Sequence, residues 1–447
     1  MKQPLSASAF ALALAAGWIE PAAAQSSADA EIAAMRAELA RLAARVDTLE
    51  AELAEAEARA PAIVAPAGTS PEADAAPAIA FKGAPEIASE DGWSFKPRGR
   101  LQYDVGTVSA PASAGRDDGF GSEARRIRVG ASGTMPGNFG YKFEIDFADN
   151  DVELTDAIIT YESGDVTVSV GQFNGFQSLE ELTSSLHTSM IERAAFTDAF
   201  GFERRVGAGI EYASGPLLVQ AGLFTDNIDA LSNRNWSADG RIVAMPVVGK
   251  ARFHLGASVH YTDLESGSTV RYRQRPLVHF TDDRWVDTRT LGAASEFGWG
   301  MEGAVISGPF HAAAETFWQR VSRPGAQADP TFFGGYAEVG MFLTPGDTRG
   351  YGAGKFDRTK PARPVGEGGW GSLQVNLRYD HLDLSDAGVI GGQQDGYLIS
   401  LVWKPTDYTM LLANYGRLQY VDALFPLADG DRAYGVDAFG LRAQIDF

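Results

Sequence analysis

Six histidines, a glycine-rich stretch ending in lysine and two adjacent glutamates are the places where this chain of 447 residues could do chemistry. A metal site needs side chains that converge. His254 and His260 share one face of an alternating segment, but at about 3.4 Å per residue they stand roughly 20 Å apart, too far to hold one ion. Gly350-Tyr351-Gly352-Ala353-Gly354-Lys355 has the glycines and the lysine of a phosphate-cradling loop. Its spacing denies that role, because Arg349 stands where the first glycine is required and Phe356 where a Ser or Thr would hold magnesium. Glu180 and Glu181 are neighbours and cannot flank a sugar bond from two sides. There is no nucleophile elbow. With no cysteine there is no disulfide frame and no thiolate metal site. The sequence therefore predicts neither an enzyme nor a cofactor. A net charge of −20 also argues against nucleic acid as a partner, since phosphate binding calls for a basic face.

What remains is a problem of positioning, and the pattern of the chain says how it is solved. From Trp93 onward side chains alternate in polarity. Leu101, Tyr103 and Val105 alternate with Arg100, Gln102 and Asp104, and Tyr141, Phe143, Ile145 and Phe147 with Lys142, Glu144 and Asp146. Leu373, Val375, Leu377 and Tyr379 alternate with Gln374, Asn376, Arg378 and Asp380. Successive side chains of a strand point to opposite faces, so each segment has one apolar and one charged face. A charged face makes a poor sandwich core and a good wet lumen. Tyr397 and Trp403 place aromatics near strand ends, as an interfacial girdle requires. No apolar run approaches the roughly 20 residues of a membrane helix. The prediction is an all-β transmembrane antiparallel barrel of about 16 strands over residues 93–447.

Turns and loops orient it. Pro136-Gly137-Asn138, Ser163-Gly164-Asp165, Ser214-Gly215-Pro216, Ser307-Gly308-Pro309 and Lys404-Pro405-Thr406-Asp407 are tight turns. Longer connections alternate with them: Gly106 to Ala124, Asn174 to Arg205, Asp226 to Lys250, and Val421 to Tyr434. Short periplasmic turns and long outer loops are the pattern of an outer-membrane barrel. The basic stretch from Thr344 to Gly369 is long yet falls on the turn side, which predicts that it lines the inner mouth or that the strand count before it slips. The connection from Asn174 to Arg205 is the third outer loop, with a helical piece predicted over Leu179 to Met190. The last strand alternates Phe439, Leu441, Ala443, Ile445 and Phe447 with Gly440, Arg442, Gln444 and Asp446 and ends on Phe447. A terminal aromatic of this kind is the signal expected by the barrel assembly machinery, with outer-membrane lipid as the surrounding partner.

The N-terminal part carries the address. Lys2, the apolar stretch Ala9 to Trp18 and the run Ala22-Ala23-Ala24 read as a signal peptide over residues 1–24. Ile32, Met35, Leu39, Leu42, Val46, Leu49, Leu53 and Ala56 form an a/d seam, which predicts a short coiled-coil oligomerisation helix over 29–59. An Ala/Pro-rich linker follows over 60–92. Export without cysteine suits the envelope of a Gram-negative bacterium and its outer membrane.

Several segments in order resemble one family. They are Ser122-Glu123-Ala124-Arg125-Arg126-Ile127-Arg128, Tyr141 to Phe147, Thr155-Asp156-Ala157, Gly171-Gln172-Phe173, Ser178 to Ser185, Glu192-Arg193 and Leu377-Arg378-Tyr379. They are similar to the phosphate-selective porins O and P. The resemblance implies a homotrimer of sixteen-stranded barrels that passes small anions such as inorganic phosphate. It also implies an arginine ladder and a third loop, including Gln172, Glu180 and Glu181, that folds inward. On that expectation the anion-binding candidates are Arg100, Arg126 and Arg128 on lumen-facing strand positions. Arg193, Arg204 and Arg205 at the loop base join them, with Ser184 and Ser185 as hydroxyl partners. The plainer expectation is that these arginines pair with Glu144, Asp146, Glu180 and Glu181 and pin the loop. Asn174 stands where the family commonly has lysine, and residues 93–447 hold 44 acidic against 32 basic side chains, only six of them lysine. A general or cation-preferring porin is therefore an alternative, as is an outer-membrane anchor tethered to the cell wall by the coiled coil.

Overall fold

A strand crossing a bilayer must give every backbone N–H and C=O a partner, because lipid offers none. The chain meets this requirement with 16 antiparallel strands whose last pairs with its first. In this computed structural model the described residues are 78–447, except Asp117, Asp118, Asp149, Asn150 and Asn233, together with Arg41, Ala44 and Arg45. The expected signal peptide, nearly all of the expected coiled coil and residues 60–77 of the expected linker lie outside them. The chain divides into two units, Met1–Asp74 and Ala75–Phe447, and the second is the barrel.

Its strands are β1 (Ser94–Ser109), β2 (Gly119–Met135), β3 (Phe139–Asp146), β4 (Glu153–Ser163), β5 (Val166–Asn174), β6 (Arg204–Ser214), β7 (Leu217–Phe224) and β8 (Trp236–Ala244). The second half is β9 (Ala251–Asp263), β10 (Ser295–Ser307), β11 (Phe310–Ser322), β12 (Thr331–Phe342), β13 (Ser372–Asp386), β14 (Val389–Thr406), β15 (Thr409–Val421) and β16 (Tyr434–Asp446). Each pairs with its sequence neighbour, and β16 closes on β1 in a register running from Asp437↔Ser109 to Asp446↔Arg100. A short hairpin, Ala78–Phe81 with Pro85–Ala88, precedes β1 and pairs Ile87 with Phe95.

The alternation is inside out relative to a soluble protein. On β13, Leu377 is 53% exposed and its neighbour Arg378 is 3% exposed. On β16, Leu441 and Ile445 are exposed while Arg442, Gln444 and Asp446 are buried. An apolar wall facing outward and a polar face turned inward is the solution that lipid selects. Aromatics mark the edges of that wall: Tyr379 lies opposite Tyr397 and Tyr415 opposite Phe439 toward the loop end, and Trp403 donates to the Trp370 carbonyl at 2.7 Å toward the turn end.

Three expectations change in detail. The first long connection shrinks to 110–118, because β1 and β2 stay paired out to Val108↔Gly119. The connection expected from Asp226 to Lys250 contains β8, where the small outward residues Ala238 and Gly240 interrupt the hydrophobic period between Trp236 and Ile242. The helix expected over Leu179 to Met190 is one turn, Leu179–Leu182, after which the backbone is irregular. The stretch 343–371 does lie on the turn side, between β12 and β13.

Phe447 shows how closure is sealed. Its N–H donates to the Gly99 carbonyl at 3.0 Å and its carbonyl accepts from Gly99 N–H at 3.1 Å. The ring lies over Gly99, where an added Cβ would meet it at 2.1 Å, whereas a Cβ at Gly303 meets only a carbonyl at 3.9 Å. Gly99→Ala is expected to cost about 1–3 kcal/mol by overpacking. It should lower the temperature at which the folded barrel unfolds on a detergent gel, while Gly303→Ala leaves that temperature unchanged.

Candidate pore site

Three connections enter the barrel. The third loop-end connection, L3, covers residues 175–203 and opens with α1 (Leu179–Leu182). Ser178 caps that turn by accepting from Glu181 N–H at 3.2 Å, and it donates to the inward-facing Glu315 of β11 at 2.8 Å. Glu315 also accepts from the N–H groups of Leu179 at 2.9 Å and Glu180 at 2.7 Å and from the Tyr336 hydroxyl at 2.9 Å. The short helix α2 (Ala195–Ala199) is held in the same way, with Ala195 N–H donating to Asp380 of β13 at 3.0 Å. Between them, Ser400 of β14 donates to the Ser189 carbonyl at 2.6 Å, and Asn414 of β15 accepts from Ile191 N–H at 3.0 Å. Gln102 of β1 donates to the Ser185 carbonyl at 3.0 Å. L3 thus lies along the inner wall from β11 round to β1.

The fifth loop-end connection, L5 (264–294), and the sixth turn-end connection, T6 (343–371), fill further space. Leu179, Met190, Ile191 and Phe196 of L3 pack with Leu277, Val278 and Trp285 of L5 against Phe317, Phe332, Leu398 and Leu412 of the wall. Phe196 stacks on Phe317 at 6.1 Å and on Tyr336 at 6.5 Å. This apolar packing occupies the side of β11–β16. Water keeps the other side: every barrel-strand residue lining the principal cavity, about 830 Å³, belongs to β1–β8, and the remaining lining comes from the connections.

The cavity brings together Arg100, Arg126, Arg128, Arg193, Arg204, Ser184, Ser185 and Glu181 from the sequence candidates. Arg205, Gln172 and Glu180 lie outside it. Arg205 contacts His260 Nε2 at 3.1 Å. Gln172 accepts from Ile228 N–H at 2.7 Å and donates to the Leu154 carbonyl, which ties β5 to β4 and to the connection after β7. Glu180 pairs with Arg378 at 2.8 Å. Most of the cavity arginines are matched. Arg128 bonds Asp146 at 2.6 Å and Glu144 at 3.0 Å, Arg100 approaches Glu144 at 3.6 Å, and Arg204 bonds Asp156 at 2.8 Å. Arg193 is committed to L3 itself, donating to the carbonyls of Glu180 and Thr183 at 3.0 and 2.9 Å and facing Glu181 at 3.4 Å. Arg126 differs. Among the described residues its one hydrogen bond is to the Gln102 amide oxygen at 3.0 Å, and no carboxylate lies within 4.0 Å. Beside it, Arg100 donates to Ser185 Oγ at 2.7 Å.

Several lining residues escaped the sequence reading. Arg125 joins the cavity because the β1–β2 register shifts between Gln102 and Tyr103, an irregularity that a two-residue period hides. It bonds Glu192 at 2.8 Å. Burial alone would raise the Glu192 carboxyl, but Arg125, Arg126 and Arg442 hold it well below the usual range. Lys142, paired with Asp156, and Lys355 of T6 also line the cavity. The basic run around Lys355 was the available signal. Its glycine-rich stretch forms a hairpin, Gly350–Gly352 with Lys355–Asp357, rather than a loop before a helix. His254 and His260 bond Tyr351 and Asp239, and among the described residues no group of three metal-capable side chains converges.

A closed barrel of this strand number, apolar outside and polar within, defines an outer-membrane porin. The chain belongs to the phosphate-selective porin O and P family, which it matches over residues 95–447. An uncharacterized protein of Caulobacter vibrioides is 44% identical over 482 residues, covering 100% of this chain and 97% of that one. Porin O of Pseudomonas aeruginosa is 27% identical over 349 residues, 70% of this chain and 78% of that one. Among solved structures, an anion-selective porin from Comamonas acidovorans has the same fold with a TM-score of 0.51 and 12% identity, covering 79% of this chain and 100% of its own. OprB of Pseudomonas putida gives 0.51 and 12%, covering 80% and 95%. Family and fold make the chain a channel of the Gram-negative outer membrane and not an enzyme.

Glu315 is the group on which the start of L3 depends. Glu315→Ala orphans buried N–H donors at about 1–3 kcal/mol each. Chymotrypsin should then cut L3 in the folded porin markedly faster than in the wild type, and an unchanged rate would show that L3 is held elsewhere.

Proposed function

We propose that this porin passes small anions, phosphate and similar oxyanions among them, by passive diffusion through the cavity beside β1–β8, as a homotrimer in which L3 narrows each passage. The observation that carries the reading is a contrast of charge. The whole chain stands at −20, yet the cavity is lined by ten basic and nine acidic side chains. A narrow lumen focuses the field of the residues that line it, so local charge outweighs the total. Arg126, next to Arg100 and Ser185, offers guanidinium donors that no carboxylate occupies, in a geometry suited to an oxyanion. Membership of the family supports the same solute class. A second reading, a general porin of weak preference, draws on the near balance of the lining.

The deciding experiment is chloride conductance of the purified oligomer in planar bilayers with phosphate added as competitor. The proposal expects phosphate to depress the chloride current, and an unaffected current would contradict it. Arg126→Ala with Arg128→Ala should reduce the preference for chloride over potassium, whereas unchanged selectivity would leave both residues a purely structural part.

Burial raises the carboxyls of Glu181 and Glu203 above the usual range, against the pull of Arg193 and Arg205. These two lining groups therefore take up protons at a higher pH than an ordinary glutamate, and the cavity becomes more positive as pH falls. Chloride preference should rise between neutral and about pH 5, a window set by that upward shift. A fall in preference over this range would count against the assignment.

A further inference from the structure

We infer that Lys355, carried into the cavity from the turn end by T6, supplies the ammonium group that coordinates a tetrahedral oxyanion in this pore. The inference deepens the anion reading and rests on it. T6 is docked rather than loose. Its hairpin turns at Ala353 and Gly354, both at positive φ (48° and 67°), the pair of conformations a tight two-residue hairpin turn requires. Four contacts fix it from different sides. Tyr351 Oη and His254 Nδ1 lie 2.6 Å apart, the Gly354 carbonyl accepts from Arg241 at 2.7 Å, Phe356 N–H donates to Thr183 Oγ1 at 3.3 Å, and Arg349 donates to the His187 carbonyl at 2.5 Å. A Cβ added at Gly354 would meet Leu218 at 2.5 Å, so the tip rests directly on the wall.

At the end of this clamped arm the ammonium is unmatched. Of the ten basic residues lining the cavity, seven have a carboxylate within 4.0 Å: Arg100, Arg125, Arg128, Lys142, Arg193, Arg204 and Arg241. Arg126 and Arg275 bond neutral oxygens. Lys355 has no hydrogen bond or ion pair among the described residues, and its side chain is exposed to the cavity. Glu211 is the acidic group that acts on it most strongly, but that carboxylate accepts a 2.7 Å hydrogen bond from Gln220 and lies outside ion-pair distance of the lysine. An ammonium that lines the cavity with three free donors, held in place by its backbone, partly desolvated by the walls around it, which lowers its pKa, and close enough to Lys142 to feel its charge, is a point-charge receptor for an anion. Because it arrives on a connection from the turn end and is seated against Leu218 of β7 and Arg241 of β8, it adds to the cavity a donor that the barrel strands do not supply.

The test uses the full-length oligomer in planar bilayers, reading two quantities: the phosphate concentration that halves chloride conductance, and the zero-current potential in a potassium chloride gradient. Lys355→Gln should raise the half-inhibiting phosphate concentration about tenfold, equivalent to about 1.4 kcal/mol. Lys355→Met, of similar length, should do the same and guards against a folding defect of the first variant. Lys355→Arg should stay within about twofold of the wild type, and Lys355→Glu should move the potential toward potassium. An anion-selective, phosphate-inhibited wild type whose Lys355→Gln and Lys355→Met forms behave identically to it would overturn this inference alone. A wild type that is cation-selective or insensitive to phosphate would overturn the anion reading and this role with it.

Discussion

The pairing of β16 with β1 is the constraint from which the rest of the structure follows. Once the last strand finds the first, no sheet edge faces lipid, and side chains are divided by the pleat into an outer apolar set and an inner polar set. The inner set is then free to be charged. That freedom is what allows Gln102, Asp104, Arg126 and Arg128 to stand on consecutive inward positions of β1 and β2 in a wall whose outer face is Leu101, Tyr103, Ile127 and Val129. Phe447 completes the seam against Gly99, so the residue read in the sequence as an assembly signal also has a structural place in the finished barrel.

The acidic excess of the barrel acquires a physical reason from the same arrangement. Glu315, Asp239 and Asp380 face inward and accept hydrogen bonds from backbone N–H groups at Leu179, Phe176 and Ala195 of L3. Asp347 does the same for Ala362 within T6. Carboxylates bound to backbone donors hold inserted segments in place, and they are not free to line a cation path. Glu315 and Asp380 thereby hold L3 on the β11–β16 side, Asp239 ties its start to β8, and the open cavity is left beside β1–β8. The charge of the whole chain and the charge felt by a solute in the cavity thereby become different quantities.

Much of this was legible in the residues, for reasons that can be named. β13 and β16 alternate strictly because their outer faces meet only lipid, so their boundaries and facing came through. β8 did not, since Ala238 and Gly240 break the outer hydrophobic period between Trp236 and Ile242. On β14 and β15 the inner positions Leu398, Val402, Met410, Leu412 and Leu418 are apolar because they pack against L3 and L5, which blurs the period. The arginine candidates were found, but their partners depend on which strands lie side by side. Arg126 and Arg128 are separated by one residue, yet one bonds a neutral amide and the other two carboxylates. The place of Lys355 was hidden for a different reason: nothing local in Gly350 to Lys355 says that a connection on the turn side folds back into the barrel.

The account turns on whether the water-filled half of the barrel prefers negative ions despite the acidic chain around it. The most direct measurement is the zero-current potential of the purified porin in a lipid bilayer separating unequal concentrations of potassium chloride. The account predicts a potential displaced toward the chloride equilibrium value. A potential displaced toward that of potassium would contradict it.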